Sequence, residues 1–201
     1  MGNFLNPRAL RVVKPEIRVL GIDDGKFVPH SKMQVLVVGV VFRAGNCLEG
    51  VMSTKVTVDG FDATENLAAM IKNSPHYKQL RVIMLNGITL GGFNVVDIKA
   101  LNDQTGLPII AVTTRKPDLR KVKSALKNLP ESEKRWTAVH NAGEIFSTSM
   151  RGGKQKVYLE VVGIKENAAI EILKRTATRS KTPEPLRVAH LVASGITLNT
   201  T

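Results

Sequence analysis

Cysteine is almost missing from this sequence of 201 residues, which carries a single one, Cys47. One thiol excludes an internal disulfide and any zinc site built from several cysteines. Long hydrophobic runs are missing too, because the longest, residues 35–42, is too short to span a bilayer and contains Gly39. No charged segment followed by an apolar stretch opens the chain, as an export signal would. We therefore expect a soluble cytoplasmic protein with no membrane partner.

Aromatic residues are also scarce, at 4% of the sequence. Trp136 and the few Phe and Tyr residues form no visible set for stacking bases, which argues against a dedicated single-strand binder. Apolar residues reach 43% and charged residues 23%, which suits an ordinary globular domain with a full core. We therefore predict one domain over residues 1–201, with an irregular N-terminal arm over residues 1–14 that Pro15 closes.

Acidic residues are outnumbered by basic ones, 17 to 29, which gives a formal net charge of +12. Such an excess favours a polyphosphate partner, and nucleic acid, DNA or RNA, is the most natural one. A solvated basic face would show the same composition. Oligomeric state is left open, with a homodimer as one alternative. The residues predicted to contact nucleic acid are Arg115, Lys116, Arg120, Lys123, Lys127, Lys181 and Arg187.

The first half of the chain reads as three strands followed by a helix and another strand. Strands are predicted over residues 17–22, 33–43 and 51–58, and their short connectors favour an antiparallel meander. Asp62 and Glu65 have the spacing of a helix capping box. A strand over residues 82–85 follows, then a glycine-rich loop and a helix over residues 94–104 that Asn94 and Asp97 would cap and Gly106 would end.

The second half alternates in the same way. A short strand is predicted over residues 108–113, and apolar residues at helical spacing predict a helix over residues 118–127. Residues 135–162 read as two or three strands with turns at 141–143 and 151–153. Two helices close the chain, one over residues 166–178 and one that starts at Pro183 and ends before Gly195.

This order of elements predicts the fold class. Three antiparallel strands, then helix, strand, helix and strand, is the order of a ribonuclease H-like α/β core. Such a core has a mixed sheet, with antiparallel strands first and parallel strands after them, and helices on both faces.

Two adjacent carboxylates mark the end of the first predicted strand, where the apolar run through Ile22 stops at Asp23 and Asp24. Clustered carboxylate oxygens suit a hard cation, Mg²⁺ or Mn²⁺, and no Cys or His lies nearby in the sequence to favour zinc. A strand followed by Asp-Asp-Gly is equally typical of an ordinary turn.

Specific residues give the chain a resemblance to endonuclease V. The octapeptide Pro-Glu-Pro-Leu-Arg-Val-Ala-His at residues 183–190 resembles the opening of that family's C-terminal helix. Asp23 is similar in context to the first metal aspartate, Glu65 falls where the catalytic glutamate would, and Asn86-Gly87 resembles the second acidic strand end. The resemblance covers residues 18–194, and an archaeal family related to endonuclease V is the closer match.

This resemblance implies a nucleic-acid-binding protein of the endonuclease V class that uses Mg²⁺ or Mn²⁺. It implies catalytic roles for Asp23, Glu65 and Asn86, and metal ligation by Asp23, Asp24 and Glu65. Departures from the pattern point to a degenerate site, because Asn86 stands where the family has aspartate and an amide is the weaker ligand. The family's aromatic-and-proline wedge would fall at residues 55–58, where neither kind of residue is present. The alternative is a catalytically inactive nucleic-acid-binding protein or scaffold.

Several of these residues have structural explanations that remain open. Glu65 could serve only the capping box with Asp62. Gly91 and Gly92 could offer backbone amides to an anion, although the lysine and hydroxyl of a P-loop are absent. His190 lies on an apolar helix pattern and is interpreted as a structural histidine.

Overall fold

A computed structural model describes residue 10, residues 12–150 and residues 156–198. The strands are β1 (Arg18–Asp24), β2 (Gln34–Arg43), β3 (Cys47–Thr57), β4 (Val82–Asn86), β5 (Thr89–Leu90), β6 (Asn94–Val95), β7 (Ile109–Thr113), β8 (Phe146–Ser149) and β9 (Lys156–Val162). The helices are α1 (Ala63–Asn73), α2 (Ile98–Thr105), α3 (Leu119–Leu126), α4 (Ser132–Asn141), α5 (Glu166–Thr176) and α6 (Glu184–Thr197).

The main sheet has seven strands in the order β3-β2-β1-β4-β7-β9-β8, and β5 pairs with β6 in a separate hairpin. β1, β2 and β3 pair antiparallel, as predicted from their short connectors. β1, β4 and β7 run parallel, and β9 and β8 continue the sheet antiparallel. The ribonuclease H-like mixed sheet predicted from the sequence is confirmed.

Helices cover both faces of the central strands, so the side chains that point to either face of the sheet are buried. Leu20 and Ile22 of β1 join the core that packs under α1 and α2, whereas Val19 joins the core that packs under α5. A strand covered on both faces needs apolar residues at every position, which explains the unbroken apolar runs in β1, β4 and β7.

α6 packs unusually close to β1. A Cβ atom on Gly21 would overlap the backbone of Pro185, and one on Gly25 would lie 2.6 Å from Thr197. The Thr197 hydroxyl also accepts a hydrogen bond from the Lys26 amide at 2.9 Å. Two glycines thus let the helix lie directly on the strand, with one contact near each end of α6.

α4 corrects the prediction that residues 135–162 form only strands. Trp136, Val139 and other residues of strand-like propensity lie here in a helix, because their apolar side packs against Val95 and Leu126. Buried Arg135 fixes the helix in place by donating to the carbonyl oxygens of Asp59, Gly60, Phe93 and Pro130. The predicted turn at 141–143 is the end of this helix, and the one at 151–153 lies outside the described residues.

Two further helix boundaries differ from prediction. α2 begins at Ile98 rather than at residue 94, with Asp97 as its cap through the Ala100 amide at 2.9 Å. Buried Asn94 lies in β6 and instead accepts from the Ala63 amide at the start of α1. α6 continues through Gly195, which faces open space, because its buried side still packs near Gly25. In the predicted arm, residues 1–9 and 11 lie outside the described residues.

None of the helices within the described ranges has both the length and the apolar character needed to cross a bilayer.

Candidate active site

Asp23 and Asn86 meet where two parallel strands end. Ile22 pairs with Leu85, so the next residue of each strand, Asp23 and Asn86, emerges at the same edge of the sheet. Asn86 donates from Nδ2 to Oδ2 of Asp23 at 3.1 Å. The carboxyl edge of parallel strands is where α/β proteins usually bind ligands, so this pair is well positioned for chemistry.

His190 completes a three-residue cluster at this edge. Its Nδ1 lies 2.9 Å from Oδ2 of Asp23, although 167 residues separate the two in the chain. The Asp23 side chain is 4% exposed and that of His190 is 61% exposed. The imidazole therefore stands between solvent and a buried carboxylate, held there by the close contact of α6 with β1.

The interpretation of His190 as a purely structural residue missed this contact. An apolar helix pattern gives no indication of which residue lies across from the helix in the fold. One signal was available, because His190 is the last residue of the octapeptide that carries the resemblance to endonuclease V.

Both carboxylates at the end of β1 hold protons more tightly than usual. Burial raises the pKa of Asp23, against the opposing effects of its hydrogen bonds with Asn86 and the Asp24 amide and of nearby His190. Burial also raises the pKa of Asp24 to about 6, and the charge of Asp23 adds to the rise. Buried carboxylates of this kind favour any bound positive charge, whether a proton or a cation.

Asp24 does not join the cluster. Successive residues of a strand point to opposite faces, and Oδ2 of Asp24 accepts from the Gly91 amide at 2.6 Å. Because the backbone amide of Gly91 already donates to Asp24, it is not available to bind an anion. The anion site considered at Gly91 and Gly92 is therefore not supported.

Glu65 is exposed in the first turn of α1, but the predicted capping box is wrong. The Asp62 carboxylate accepts instead from the Thr57 amide at 3.0 Å and from Nδ2 of Asn94 at 2.6 Å. These two partners replace the backbone amide of Glu65, to which Asp62 would bind in a capping box. Capping therefore does not explain why a glutamate is present at position 65.

The predicted metal set of Asp23, Asp24 and Glu65 is not assembled. Within the described residues, no group of three or more His, Cys, Asp or Glu side chains could hold a metal ion. Asp24 remains close enough to Asp23 for the two carboxylates to interact, but its Oδ2 accepts the hydrogen bond of the Gly91 amide. What the structure brings together is one carboxylate, one amide and one imidazole.

The predicted nucleic-acid contacts occupy three places. Arg115 and Lys116 are exposed just beyond β7, which ends at the same edge of the sheet as β4. Arg120, Lys123 and Lys127 are exposed on and just after α3, and Lys123 Nζ lies 4.9 Å from the Trp136 ring centroid. Lys181 is exposed before α6, while Arg187 pairs with Glu184 at 2.6 Å. Their roles in binding stay predictions.

Comparison with known proteins identifies relatives along nearly the whole chain. The model of the family Endonuclease dU matches residues 15–197. A UPF0215 protein of Methanopyrus kandleri is 53% identical over 188 residues, which cover 94% of this chain and 95% of the relative.

Solved structures agree with the fold. A protein of unknown function from Archaeoglobus fulgidus has a TM-score of 0.80 at 39% identity, covering 90% of this chain and 98% of the other. Endonuclease V from Ciona intestinalis, in complex with a DNA that contains inosine, has a TM-score of 0.59 at 14% identity, covering 92% and 87%. At that identity the likeness shows a shared fold. The chain belongs to the Endonuclease dU family and shares the fold of endonuclease V.

Proposed function

We propose that this protein is a divalent-metal-dependent endonuclease that cleaves nucleic acid close to a deaminated base, with deoxyuridine as the first candidate. The observation that carries the proposal is the cluster of Asp23, Asn86 and His190 at the edge where the parallel strands end. The family name supports deoxyuridine, and the exposed basic residues beyond β7 and on α3 support a polyanionic substrate.

Nucleic acid is the partner that the charge favours. The chain has an excess of 12 positive charges, and Arg115 and Lys116 follow a strand that ends beside Asn86. A phosphate bound by those side chains would lie at the same edge of the sheet as Asp23. The DNA bound by the Ciona intestinalis endonuclease V supports the same class of partner.

The cluster fits a hard divalent cation, Mg²⁺ or Mn²⁺. Asp23 would supply a carboxylate oxygen and Asn86 its amide oxygen. Magnesium sites in phosphoryl transfer often use only one or two carboxylates, with waters and substrate phosphate as the other ligands, so three clustered carboxylates are unnecessary. The raised pKa of Asp23 supports this fit, because a cation relieves the same cost of a buried charge that a proton relieves. When bound, such an ion polarises the phosphate and activates water.

His190 is suited to move the proton of the reaction. With its proton on Nδ1, the ring donates to Asp23, and the carboxylate fixes that tautomer. Nε2 is then free of its proton and can accept one from the attacking water or, once charged, give one to the leaving oxygen. The exposure of the ring makes it accessible to substrate.

Binding without cleavage is the second candidate function. The specific observation in its favour is Asn86, whose neutral amide donates to the Asp23 oxygen that a cation would use. In this alternative the basic surface binds nucleic acid and the cluster is a remnant of a catalytic site.

A cleavage screen distinguishes the two. The wild-type protein is incubated with Mg²⁺, Mn²⁺ or chelator and with single-stranded and duplex DNA that contains deoxyuridine, inosine or neither, and with RNA. We expect metal-dependent cleavage of the deoxyuridine substrate and its loss in Asp23→Ala. Salt-sensitive binding with no cleavage of any substrate would support the second candidate instead.

A further inference from the structure

A small cavity lies away from Asp23, between α4, β9 and the start of α3, with a volume of about 70 Å³. The ring centroids of Trp136 and His140 are 5.5 Å apart, with the rings nearly perpendicular at 88°. One side of the cavity is therefore aromatic, and the other is mostly aliphatic. Its lining residues are Leu119, Trp136, Val139, His140, Gly143, Ile145 and Glu160.

Glu160 is the one acidic side chain of this lining and is only 4% exposed. It lies in the middle of β9, opposite Ala111 of β7. Across the described part of the chain, its carboxyl group makes no hydrogen bond or ion pair with another side chain. Burial alone raises its pKa to about 7. Buried polar groups nearly always have partners, so a carboxyl without a protein partner that lines a cavity is open to hydrogen bonds from water or from a ligand that enters it.

The cavity adjoins an open groove of about 740 Å³, whose charged lining residues are the bases Lys116 and Arg120 and the acids Asp118 and Glu144, with the Asp118 carboxylate capping α3. Leu119, Gly143 and Ile145 line both spaces, and the groove also includes the exposed side chains of Lys116 and Arg120. Those cations suit the phosphates of a nucleic acid strand. A strand lying in the groove would therefore bring its bases to the mouth of the cavity.

We propose that this cavity, which we term the base pocket, receives one unstacked pyrimidine and that Glu160 selects uracil over cytosine by accepting a hydrogen bond from its N3–H. This inference rests on the proposed function and specifies how its substrate is chosen. Enzymes that act on extruded bases pack them against aromatic or apolar side chains and bind their Watson–Crick edge, and here Trp136 offers an aromatic side chain and Glu160 an acceptor for that edge.

Glu160 can distinguish uracil from cytosine because an ionised carboxylate only accepts hydrogen bonds. Uracil carries a hydrogen on N3, whereas cytosine presents a lone pair there, which would face the negative charge.

Trp136 is the only tryptophan of the chain, so its fluorescence reports directly on the base pocket. The experiment compares two labelled single-stranded oligonucleotides that differ only in one central deoxyuridine or deoxycytidine. Chelator prevents cleavage, and pH 8 keeps Glu160 ionised. The other ionisable groups lining the pocket and its groove are His140, Lys116, Asp118, Arg120 and Glu144. Anisotropy of the label measures affinity, and tryptophan emission measures entry of the base.

We expect wild-type protein to bind the deoxyuridine strand about tenfold more tightly, as a hydrogen bond to a charged acceptor warrants, and to show quenched emission. Glu160→Gln should bring the two affinities within about twofold, because an amide both donates and accepts. Its affinity for the deoxycytidine strand should not fall. Glu144→Gln, which removes the same charge from the groove, should keep the tenfold preference.

Equal affinities in wild type, or a preference that survives Glu160→Gln, would overturn the inference while leaving nucleic-acid binding and cleavage intact. Failure of wild type to bind either strand would remove the proposed function as well. Titration of unaltered protein with deoxyuridine and deoxycytidine nucleosides tests the pocket without any substitution. A tryptophan response to both nucleosides alike, or to neither, contradicts the selection of uracil.

Discussion

Asp23 and Glu160 are both buried carboxylates with raised pKa values, yet their surroundings differ in the one respect that matters for function. Asp23 lies against Asn86, His190 and the backbone amide of Asp24. Glu160 has apolar and aromatic neighbours and no polar partner within the described residues. A carboxylate fixed by several hydrogen bonds is held in place for a reaction, whereas one without partners is ready to accept a ligand.

The largest effect should come from Asp23→Asn. Loss of the carboxylate from the proposed active site should lower the cleavage rate by roughly a thousandfold, the scale of removing a main electrostatic contributor. Binding of substrate in chelator should be unchanged. The melting temperature should not fall, because the substitution removes a buried charge. Asp103→Asn, which affects an exposed carboxylate on α2 paired with Lys99, is the matched control and should retain full activity.

Glu160 should make the protein less stable as pH rises. The pKa of its carboxyl group is about 7 in the folded protein, against an ordinary value of 4.5 for an exposed glutamate. The folded form therefore binds the proton more tightly than the unfolded form. The contribution of Glu160 to the free energy of unfolding is therefore fully present below pH 4.5. It is lost as pH rises through 7, which lowers the free energy of unfolding by up to about 3 kcal/mol. Asp24, with its pKa raised to about 6, contributes in the same direction.

Urea unfolding at pH 5 and pH 8 measures this decline. Glu160→Gln should lose most of it and be the more stable protein at pH 8, while Glu144→Gln should behave as wild type. An identical decline in Glu160→Gln would mean that solvent or an ion already compensates the buried charge.

Asn86→Asp should add a second carboxylate to the proposed active site and so widen its difference from the base pocket. The substitution puts a second carboxylate about 3 Å from that of Asp23, so the two charges repel each other in the absence of a cation. The variant should melt below wild type in chelator and gain more than wild type on addition of Mn²⁺, since ligand binding to the folded state adds stability. Asn128→Asp, at an exposed position after α3, should shift neither value. An equal Mn²⁺-dependent shift in Asn86→Asp and wild type would show that this side chain does not face a metal.

The smallest effect concerns the basic surface beside the base pocket. Replacing Arg120, Lys123 and Lys127 with Ala should reduce the slope of log affinity against log salt by roughly two to three, because each phosphate that is no longer neutralised lowers it by close to one unit. Replacing three exposed lysines outside α3, namely Lys72 on α1, Lys78 between α1 and β4, and Lys99 on α2, removes the same charge and should leave the slope nearly unchanged. Similar slopes in the two triple variants would exclude α3 from the interface.

The fold followed from local patterns, and part of the candidate site from the resemblance to endonuclease V. Apolar runs predicted the strands of the sheet, and the resemblance pointed to Asp23 and Asn86, which lie side by side at the ends of two parallel strands. Glu160 also left a trace, since a charged residue between Leu159 and Val161 interrupts an otherwise apolar strand.

What could not be predicted depends on contacts between distant parts of the chain. His190 meets Asp23 across 167 residues, and Asn94 replaces Glu65 as the partner of Asp62 across 32. α4 is a helix because of its packing on Val95 and Leu126, which overrides the strand propensity of its own residues. In each case the deciding neighbour is far away in the sequence, where periodicity and capping patterns give no information.

The direct contact of α6 with β1 makes the imidazole of the candidate site depend on the packing of two distant parts of the chain. Asp23 and Asn86 lie on two neighbouring strands, but His190 is supplied by α6, which packs on the sheet at Gly21 and Gly25. A side chain at Gly21 would overlap the backbone of Pro185 and push α6, with His190, away from Asp23. A substitution at a position that has no functional group of its own can therefore disable the proposed enzyme.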